Sequence, residues 1–423
     1  FSARPWISSD FAGGKARRNG EFFLHPARAN EARPAVRSGA RPDGQATGAR
    51  GNFDRGRERM TVGCVREIKN SEFRVGLTPA NAAEYVRHGH RVLAEAGLGE
   101  GSGFSDAEYE QAGAVLTSAD GVWAESDMVI KVKEPLPAEY PKIRKGQILY
   151  TYLHLAADRA LTDALLASGC KGVAYETLKD RKGQLPLLKP MSEIAGRLAA
   201  IEGAKCLEKP FGGRGVLISG VPGVRKAKVV VLGGGFVGTN ACRMALGLGA
   251  DVTVIDLSID RLVELDELFN SNIKTVFSTT QAICEEIADA DLVIGAVLIP
   301  GAAAPKLIRR EHLKRMRPGS VIVDVAVDQG GCVETTRPTY HDNPTFVVDG
   351  VVHYCVANMP GAVPYTSTMA LTNATLGYGL KIADLGIQEA ARRDPTIISA
   401  INTYEGEITC PGVAEAFSLP LRT

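Results

Sequence analysis

The feature that most constrains the fold is a glycine-rich turn at the centre of KVVVLGGGFVGTNACRMALGLGADVTVID, residues 228–256. A short apolar run at residues 229–232 has the length and the flanking turn residues of a buried strand. The turn that follows has the spacing GxGxxG, and residues 239–248 have the pattern of a helix. A second apolar run, residues 252–255, ends in Asp256. This order of strand, glycine turn, helix, strand and acid predicts a dinucleotide-binding unit.

Each glycine of the turn has its own physical role. Gly233 allows a tight turn, Gly235 lets backbone N–H groups approach a pyrophosphate, and Gly238 lets the helix and the strand pack closely. The start of the helix offers further unpaired N–H groups to the phosphates. Asp256 lies 23 positions after Gly233, where a carboxylate accepts the ribose hydroxyls. The alternative is a glycine-rich turn in another kind of α/β protein.

The length and charge of the chain limit the classes of partner. The 423 residues are enough for two or three domains with buried cores. Residues 1–59 carry a net charge of about +6 and the remaining chain about −5. Because the main body is mildly acidic, it lacks the basic surface that nucleic-acid binding requires. The longest apolar run, residues 292–300, is far shorter than the roughly 18 residues that span a bilayer, so we expect neither a nucleic-acid partner nor a membrane span.

The cysteines and the first segment bear on compartment and processing. Eight cysteines are dispersed along the chain without the spacing of a zinc site or a disulfide framework, so we expect no metal and a reducing cytoplasm. Residues 1–59 are rich in Arg, Gly, Ala and Pro and have no periodicity, which predicts disorder. We expect this extension to be a tail or translated upstream sequence outside the fold. An organelle transit peptide is the alternative, and its six acidic residues count against that.

Beyond residue 59, apolar strands alternate with helical segments, which predicts an α/β protein with parallel, doubly wound sheets. Residues 60–187 form a first domain without a glycine fingerprint, and residues 188–364 form a Rossmann domain that binds the dinucleotide. Residues 365–423 begin with a long helix to about residue 385 and have too few strands for a domain, so we expect them to return to the first. The prediction is a Rossmann domain inserted in a discontinuous, Rossmann-like substrate domain.

Several polar residues are predicted at the carboxyl ends of strands, where ligands of open α/β sheets bind. Lys133 ends the run DMVIKVK, His154 follows ILYTYL, Asp328 follows SVIVDVAV, and Asn358 follows the strand-like HYCVA. Arg74 lies in a loop before a helix. These five residues are therefore the candidates for a site in the crevice between the two domains.

Their side chains suit the chemistry of a small carboxylic acid. Arg grips a carboxylate with two parallel hydrogen bonds, and Lys supplies a point charge, so Arg74 and Lys133 form a candidate binding pair. The alternative is that both are solvated surface cations. His154 is the candidate general acid–base because imidazole titrates near neutral pH, or else a structural histidine at a strand terminus. Asp328 is either an active-site carboxylate or a turn residue, and spacing alone does not decide.

Long segments of the chain resemble one known family, the alanine dehydrogenases. The resemblance covers nearly all of residues 60–423, and its motifs stand in the same order as in that family. They are VREIKNSEFRVGLTP (65–79), IKVKEPLPAEY (130–140), HLAADRALTDALL (154–166), LPLLKPMSEIAGRLAA (185–200), GGRGVLISGVPGV (212–224), DLVIGAVLIPGAAAPKLI (291–308), VDVAVDQGGC (323–332) and CVANMPGAVPYTSTMALTNAT (355–375).

The resemblance implies an enzyme that converts L-alanine, NAD and water reversibly into pyruvate, ammonium and NADH, with hydride transfer from the substrate Cα to the nicotinamide C4. It implies that Arg74, Lys133 and Asn358 bind the substrate, that His154 and Asp328 are the catalytic pair, and that the protein is a homohexamer. The positions that resemble cofactor contacts are Ser192, Gly233, Gly235, Phe236, Val237, Gly238, Asp256, Arg261, Ser278, Val297, Leu298, Val325, Ala326, Val327, Asp328, Val356, Ala357, Asn358 and Met359.

Other functions are compatible with the same fold. The NAD-binding subunit of a proton-translocating transhydrogenase resembles it, but that family is not expected to keep the substrate and catalytic set. A catalytically idle nucleotide-binding protein and the opine-type or lysine-forming dehydrogenases are further alternatives. NAD is expected rather than NADP, because the Asp256 carboxylate would repel a 2′-phosphate. Arg261, five residues on, is the one residue that points the other way.

Overall fold

A computed structural model describes residues 59–297 and 304–422, with the side chains of residues 328 and 329 left out. The prediction made for residues 1–59 lies, apart from Arg59, outside the described residues, and so does the cofactor contact predicted at Leu298. Strands and helices alternate along the described chain, as the sequence predicts.

The strands fall into two sheets. The first part of the chain contains β1 Thr61–Cys64, β2 Arg91–Glu95, β3 Val115–Thr117, β4 Met128–Ile130, β5 Ile148–Thr151 and β6 Lys171–Ala174. The second part contains β7 Lys228–Leu232, β8 Asp251–Asp256, β9 Lys274–Phe277, β10 Leu292–Gly295, β11 Val321–Asp324, β12 Thr345–Val348 and β13 Val351–Tyr354. Two short strands, β14 Ile401–Tyr404 and β15 Glu407–Ile408, lie near the end.

Both sheets are doubly wound. The first has the order β15-β14-β6-β5-β4-β1-β2-β3, and the second has the order β12-β13-β11-β10-β7-β8-β9. In each, the chain runs outward on one side of its first strand and then crosses to the other side, so the direction of winding reverses between β1 and β4 and between β7 and β10. Ligands of such sheets bind at the carboxyl ends of the strands beside this reversal. The predicted fold class is confirmed.

Helices connect the strands. They are α1 Pro79–Arg87, α2 Asp106–Gln111, α3 Ala119–Glu125, α4 Arg159–Ser168, α5 Lys189–Cys206, α6 Phe236–Gly247, α7 Ile259–Leu268, α8 Thr280–Ala288, α9 Arg310–Leu313, α10 Pro364–Arg393 and α11 Pro411–Phe417. The side chain of Thr78 accepts a hydrogen bond from the Asn81 N–H at the start of α1, with Pro79 in the first helical position. None of the helices in residues 59–297 and 304–422 has both the length and the apolar character to cross a membrane.

The edges of the sheets depart from the predicted parallel pattern. β12 pairs antiparallel with β13, across a turn in which Asp349 and Gly350 both have positive φ. An Asp-Gly pair between two apolar runs is the sequence signal for such a hairpin. β14 pairs antiparallel with β6, so the C-terminal segment adds to the first sheet two short strands that the sequence did not reveal.

The helix predicted to end near residue 385 continues as α10 to Arg393. Its backbone leaves the helical region at Gly386, with φ 72° and ψ 154°, so the expected end is a break within one longer element. α10 lies on the first sheet, where the Tyr150 hydroxyl donates to the Thr375 carbonyl at 2.9 Å. The predicted domain limits remain a prediction, since one buried cluster of apolar side chains runs through both sheets.

α5 crosses between the two sheets and packs closely on α6. A Cβ on Gly196 of α5 would lie 2.1 Å from the Val237 carbonyl oxygen of α6, so the two helix backbones meet where a side chain is missing. α6 begins at the glycine turn, and α5 therefore fixes the position of that turn relative to the first sheet.

Adding a methyl group at this contact should separate the helices. We expect Gly196→Ala to lower the free energy of unfolding by roughly 1–3 kcal/mol, as overpacking of a well-packed interface does. Gly247→Ala is the matched control, because no atom lies within 4 Å of a Cβ there and alanine is the better helix former. Denaturant unfolding of the three proteins measures the difference, and equal stability of the two variants would contradict this account of the contact.

Candidate active site

The glycine turn forms an open cradle. Gly233 has φ 94°, and a Cβ there would lie 3.0 Å from the Ala296 carbonyl oxygen. A Cβ on Gly238 would lie 1.8 Å from the carbonyl oxygen of Gly233, so no side chain fits at either position. Around Gly235, the residue that caps α6, nothing lies within 4 Å of the Cβ position. That open space beside a helix N-terminus fits the pyrophosphate of a dinucleotide.

Asp256 is fixed at the end of β8 by the backbone. One carboxylate oxygen accepts the Gly234 N–H at 2.6 Å, and the other accepts the Ser258 N–H at 2.8 Å. The side chain is half-buried beside the turn. The carboxylate is thus held in one orientation, at the position where the sequence predicts a ribose contact.

Arg261 braces the same turn. Its Nε donates to the Gly234 carbonyl at 2.8 Å, its Nη2 donates to the Thr239 hydroxyl at 2.6 Å, and its Nη1 pairs with the Glu264 carboxylate. These bonds join the guanidinium to the glycine turn, to α6 and to Glu264 on its own helix, α7. Arg261, a predicted cofactor contact, lies beside the cradle. Its positive charge is already paired with Glu264.

Other predicted cofactor positions surround the cradle. The Ser278 N–H donates to the Asp256 carbonyl at 2.9 Å, and the Val297 side chain lies 3.0 Å from a Cβ placed on Gly233. Phe236 opens α6, and Lys189 of α5 lies over its ring at 5.1 Å, which brings the helix that carries Ser192 next to the turn. The remaining positions follow β11 or β13, and they are Val325, Ala326, Val327, Val356, Ala357, Asn358 and Met359.

Arg74 is the centre of a buried ion pair that joins the two sheets. It is 3% exposed, and its Nε and Nη2 donate to the two carboxylate oxygens of Glu72 at 2.6 and 2.5 Å. Its Nη2 also donates to Oδ1 of Asn358 at 2.7 Å, and Asn358 donates in turn to Glu72 at 2.9 Å. Nη1 lies 3.1 Å from the sulfur of Met191 on α5. Because Asn358 follows β13, the carboxyl ends of the two sheets face each other here.

The Glu72–Arg74 pair is charged on both sides. Burial would raise the pKa of the Glu72 carboxyl, but the hydrogen bonds and charge of Arg74 lower it. Burial likewise opposes the charge of Arg74, but Glu72 raises the pKa of the guanidinium. The prediction that Arg74 offers two parallel hydrogen bonds to a substrate therefore needs correction. Glu72 already occupies that edge of the guanidinium, and Nη1 is the nitrogen left for another acceptor.

Lys133 differs from Arg74 because its charge has no ion-pair partner among the described residues. It lies three residues beyond β4, so the strand predicted to reach it is shorter than expected. Its side chain is half-buried, and within residues 59–297 and 304–422 its ammonium makes no hydrogen bond or ion pair. Burial and, after it, the positive charge of Arg74 lower the pKa of the Lys133 ammonium, so the two predicted substrate cations are neighbours.

A glycine brings these two cations together. A Cβ on Gly76 would lie 2.9 Å from the Ile130 side chain and 3.0 Å from the carbonyl carbon and oxygen of Lys131. The loop that carries Arg74 therefore lies directly on the backbone that leads to Lys133. A side chain at Gly76 would move the loop away from β4 and separate the two charges.

His154 stands in a strained conformation beyond β5. It has φ 50° and ψ 36°, the left-handed region, and its side chain is exposed. The Glu176 carboxylate accepts the backbone N–H groups of Leu153 at 3.2 Å and of His154 at 2.7 Å. The His154 ring lies parallel to the ring of Tyr152, with centroids 5.8 Å apart. Burial raises the pKa of Tyr152 and the positive charge of Arg74 opposes that rise, so His154 stacks on a tyrosine that lies within electrostatic range of Arg74.

Asp328 does not end a strand. β11 stops at Asp324, and the backbone then turns through a short 3₁₀ helix, Val325–Gln329, which carries Asp328. The Asp328 side chain lies outside the described part of the structure. Asp324 is fully buried, and its carboxylate accepts the N–H groups of Ala326 and Val333, both at 3.2 Å, and the Thr336 hydroxyl at 2.8 Å. The apolar run continued past Asp324, which is why the sequence placed the strand end too late.

Sequence reasoning also missed the residues that hold the candidates. Glu72, Glu176 and Asp324 bind the candidates or the backbone beside them, and Met191 contacts Arg74. Only Glu72 left a signal, because it stands two residues before Arg74 and side chains two apart share a face of an extended segment.

Comparison with known proteins agrees with this geometry. Residues 63–195 match the family model described as alanine dehydrogenase/PNT, N-terminal domain, and residues 199–411 match the corresponding C-terminal domain. An alanine dehydrogenase of Halomonas elongata is 56% identical over 361 residues, which cover 85% of this chain and 97% of that protein. The alanine dehydrogenase of Bacillus subtilis is 55% identical over 357 residues, covering 84% and 94%.

Solved structures give the same result. An L-alanine dehydrogenase has a TM-score of 0.83 at 51% identity and covers 85% of this chain and 99% of its own. A transhydrogenase from Sinorhizobium meliloti is less similar, with a TM-score of 0.72 at 26% identity, and covers 83% and 99%. Two doubly wound sheets, a glycine cradle and a cation cluster at their facing edges thus accompany close similarity along nearly the whole described chain, and the chain belongs to the alanine dehydrogenase family.

Proposed function

We propose that the protein catalyses the reversible NAD-dependent oxidative deamination of L-alanine to pyruvate and ammonium. Membership of this dehydrogenase family implies a nicotinamide cofactor and a small-molecule substrate. The observation that carries the proposal for this chain is that the buried Arg74, which joins both sheets, lies in a loop packed against the backbone that leads to Lys133, whose ammonium has no partner among the described residues. From the family resemblance alone, we also propose a homohexamer that works in the cytoplasm.

The substrate carboxylate and carbonyl need positive charge in the site. Glu72 neutralises Arg74, so Arg74 contributes a fixed donor at Nη1 and Lys133 contributes the unbalanced positive charge. Asn358, held by Arg74 and Glu72, places the end of β13 beside the substrate. Together they hold the substrate in one orientation, which converts an improbable encounter into a positioned one.

Deamination also needs proton transfers. When bound, the nicotinamide accepts a hydride from the substrate Cα. The substrate then takes up water and loses ammonia, and we assign the proton transfers to His154 and Asp328. His154 suits this role because its imidazole, a side chain that can donate and accept protons, faces solvent and is fixed through its backbone by Glu176. In the reverse direction, Lys133 and His154 stabilise negative charge on the carbonyl oxygen.

NAD is the proposed form of the cofactor. Both oxygens of Asp256 are held by backbone N–H groups, so the carboxylate stays where it would meet a 2′-phosphate. Arg261 is the nearby cation that would favour NADP, but its bonds to Gly234, Thr239 and Glu264 already engage it. The fixed negative charge therefore outweighs the paired positive one.

The main proposal is tested by formation of NADH from NAD and L-alanine at alkaline pH. We expect turnover by the purified protein and a fall in kcat on the order of 10²–10⁴-fold in His154→Gln, since a general acid–base contributes about that factor. The KM for NAD should change little. His88→Gln is the control, because His88 pairs with Asp384 away from the cluster. Activity only with an amino acid other than L-alanine would overturn the proposed substrate. Normal turnover in His154→Gln would overturn the proposed role of His154.

The cofactor proposal is tested by the ratio of kcat/KM with NAD to that with NADP. We expect a preference for NAD on the order of 10²-fold or more, because like charges brought together cost several kcal/mol. Asp256→Ser should shrink the ratio, mainly by improving activity with NADP. Asp260→Asn removes a nearby exposed charge that does not bind the turn and should leave the ratio unchanged. If the ratio fell equally in both variants, the overall negative charge of this region, and not Asp256 in particular, would set the preference for NAD.

The role of Lys133 predicts a pH dependence for pyruvate binding to the enzyme with NADH, measured by calorimetry without ammonium. Burial and Arg74 lower the pKa of Lys133, so its charge is lost as pH rises through a value below the ordinary 10.5. Pyruvate affinity should therefore fall in the alkaline range before pH 10.5. In Lys133→Arg the fall should move to higher pH, because arginine keeps its proton. An unchanged alkaline fall in that variant would show that another group is responsible.

A further inference from the structure

A second lysine, Lys131, lies two residues before Lys133 and differs from it in burial and in ion pairing. Lys131 is 0% exposed, and its ammonium pairs with Glu67 at 3.1 Å and with Glu139 at 2.9 Å. Lysine is seldom buried completely unless it is paired. The sequence gives both lysines similar surroundings in IKVKEP, yet one is fully engaged and the other has no partner in the described chain.

Glu67 connects this buried pair to Lys133. One of its carboxylate oxygens meets Lys131, and the other accepts the backbone N–H groups of Val132 at 2.6 Å and of Lys133 at 3.2 Å. Burial raises the pKa of Glu67, and the charge of Lys131 opposes that rise. Without Lys131, the pKa of Glu67 would rise further. The carboxyl group would then be protonated more easily and would accept the N–H groups of Val132 and Lys133 less strongly.

The backbone at Lys133 is held on its other side as well. β4 ends at Ile130, and beyond it the Lys133 carbonyl accepts the Thr151 hydroxyl at 3.0 Å. Glu139 holds the far end of the same turn, because its second oxygen accepts the Leu136 N–H at 2.9 Å. The turn is therefore fixed at its start, at Lys133 and at its end. Within residues 59–297 and 304–422, the Lys133 ammonium has no hydrogen-bond or ion-pair partner.

We propose that Glu67 and Lys131 are positioning residues, which hold the backbone of Lys133 so that its ammonium meets the substrate. They act through Lys133 and touch no substrate themselves. The backbone at Lys131 also helps to set the distance between Lys133 and Arg74, because the loop that carries Arg74 packs at Gly76 against the Lys131 carbonyl. The inference rests on the proposed function. It adds Glu67 and Lys131, which were not among the candidates chosen at the predicted carboxyl ends of strands.

The test measures KM for pyruvate, KM for NADH and kcat in the reductive direction for the wild type, Glu67→Gln, Lys131→Met, Lys133→Met and the two double variants with Lys133→Met. We expect Glu67→Gln and Lys131→Met to raise KM for pyruvate by about tenfold, the value of one lost charge-assisted hydrogen bond, with KM for NADH nearly unchanged. On the Lys133→Met background, the same changes should add almost nothing, because groups that act through one residue are not additive.

Asp291→Asn is the matched control. Asp291 is also buried, pairs with Arg214, and accepts the backbone N–H of Lys228 at 3.0 Å, but it lies at the amino ends of β7 and β10. It should lose stability like Glu67→Gln and keep its KM for pyruvate. If Lys131→Met does not fold, Glu67→Gln and its double variant still decide the question.

The outcomes separate the two levels of the proposal. If the wild type does not act on pyruvate or L-alanine, the proposed function fails and this inference fails with it. If the wild type is active and Glu67→Gln lowers activity equally with and without Lys133, the function stands and the positioning role is refuted. An unchanged KM for pyruvate in folded Glu67→Gln and Lys131→Met refutes it too.

Discussion

Carboxylates that accept backbone N–H groups just beyond the strand ends hold the candidate site together. The ladder of a parallel sheet stops at the last residue of each strand, and the amides that follow need other acceptors. Glu67 serves the turn after β4, Glu176 the turn after β5, Asp256 the glycine turn after β7, and Asp324 the turn after β11. Each of these turns carries a residue proposed to bind or react, so the same bonds that complete the sheets orient the site.

Carboxylates also determine which cations of the site remain available. Of Arg74, Lys131, Lys133 and Arg261, three are paired with carboxylates. Burying a charge without a partner is costly, so full burial requires the pairing seen for Arg74 and Lys131. Lys133 is only half-buried and has no such partner among the described residues. Burial and, after it, the positive charge of Arg74 lower the pKa of its ammonium.

The sequence predicts the parts of the fold that depend on local rules. The glycine spacing locates the cradle, because Gly233 and Gly238 have backbone geometry or contacts that exclude a side chain. The alternation of apolar runs with helices gives both doubly wound sheets. The hairpin of β12 and β13 had a readable Asp-Gly signal, whereas β15 has two residues and too little sequence to form any pattern.

The parts that could not be predicted depend on contacts between distant segments. Glu176 lies 22 residues after the His154 that it holds, and Asn358 lies 284 residues after Arg74. Nothing local distinguishes Lys131 from Lys133, because the difference is made by Glu67, 64 positions earlier, and by the shape of the turn that ends in Glu139. The predicted strand ends made Lys133 and His154 candidates, the resemblance to a family implied their roles, and the contacts now show how the backbone of each residue is held.

The pairing of Arg74 with Glu72 changes how the proposed substrate charge is balanced. An arginine without a partner would bring one positive charge, and with Lys133 the site would hold two against a single carboxylate. With Glu72 in place, the cluster of Glu72, Arg74 and Lys133 has a net charge of one, which matches pyruvate or the carboxylate of alanine. Arg74 then acts mainly as a rigid link between the sheets, since it joins Glu72 to Asn358 beyond β13. In the proposed function, Lys133 therefore supplies the charge that binds the substrate, and Arg74 mainly joins the two sheets.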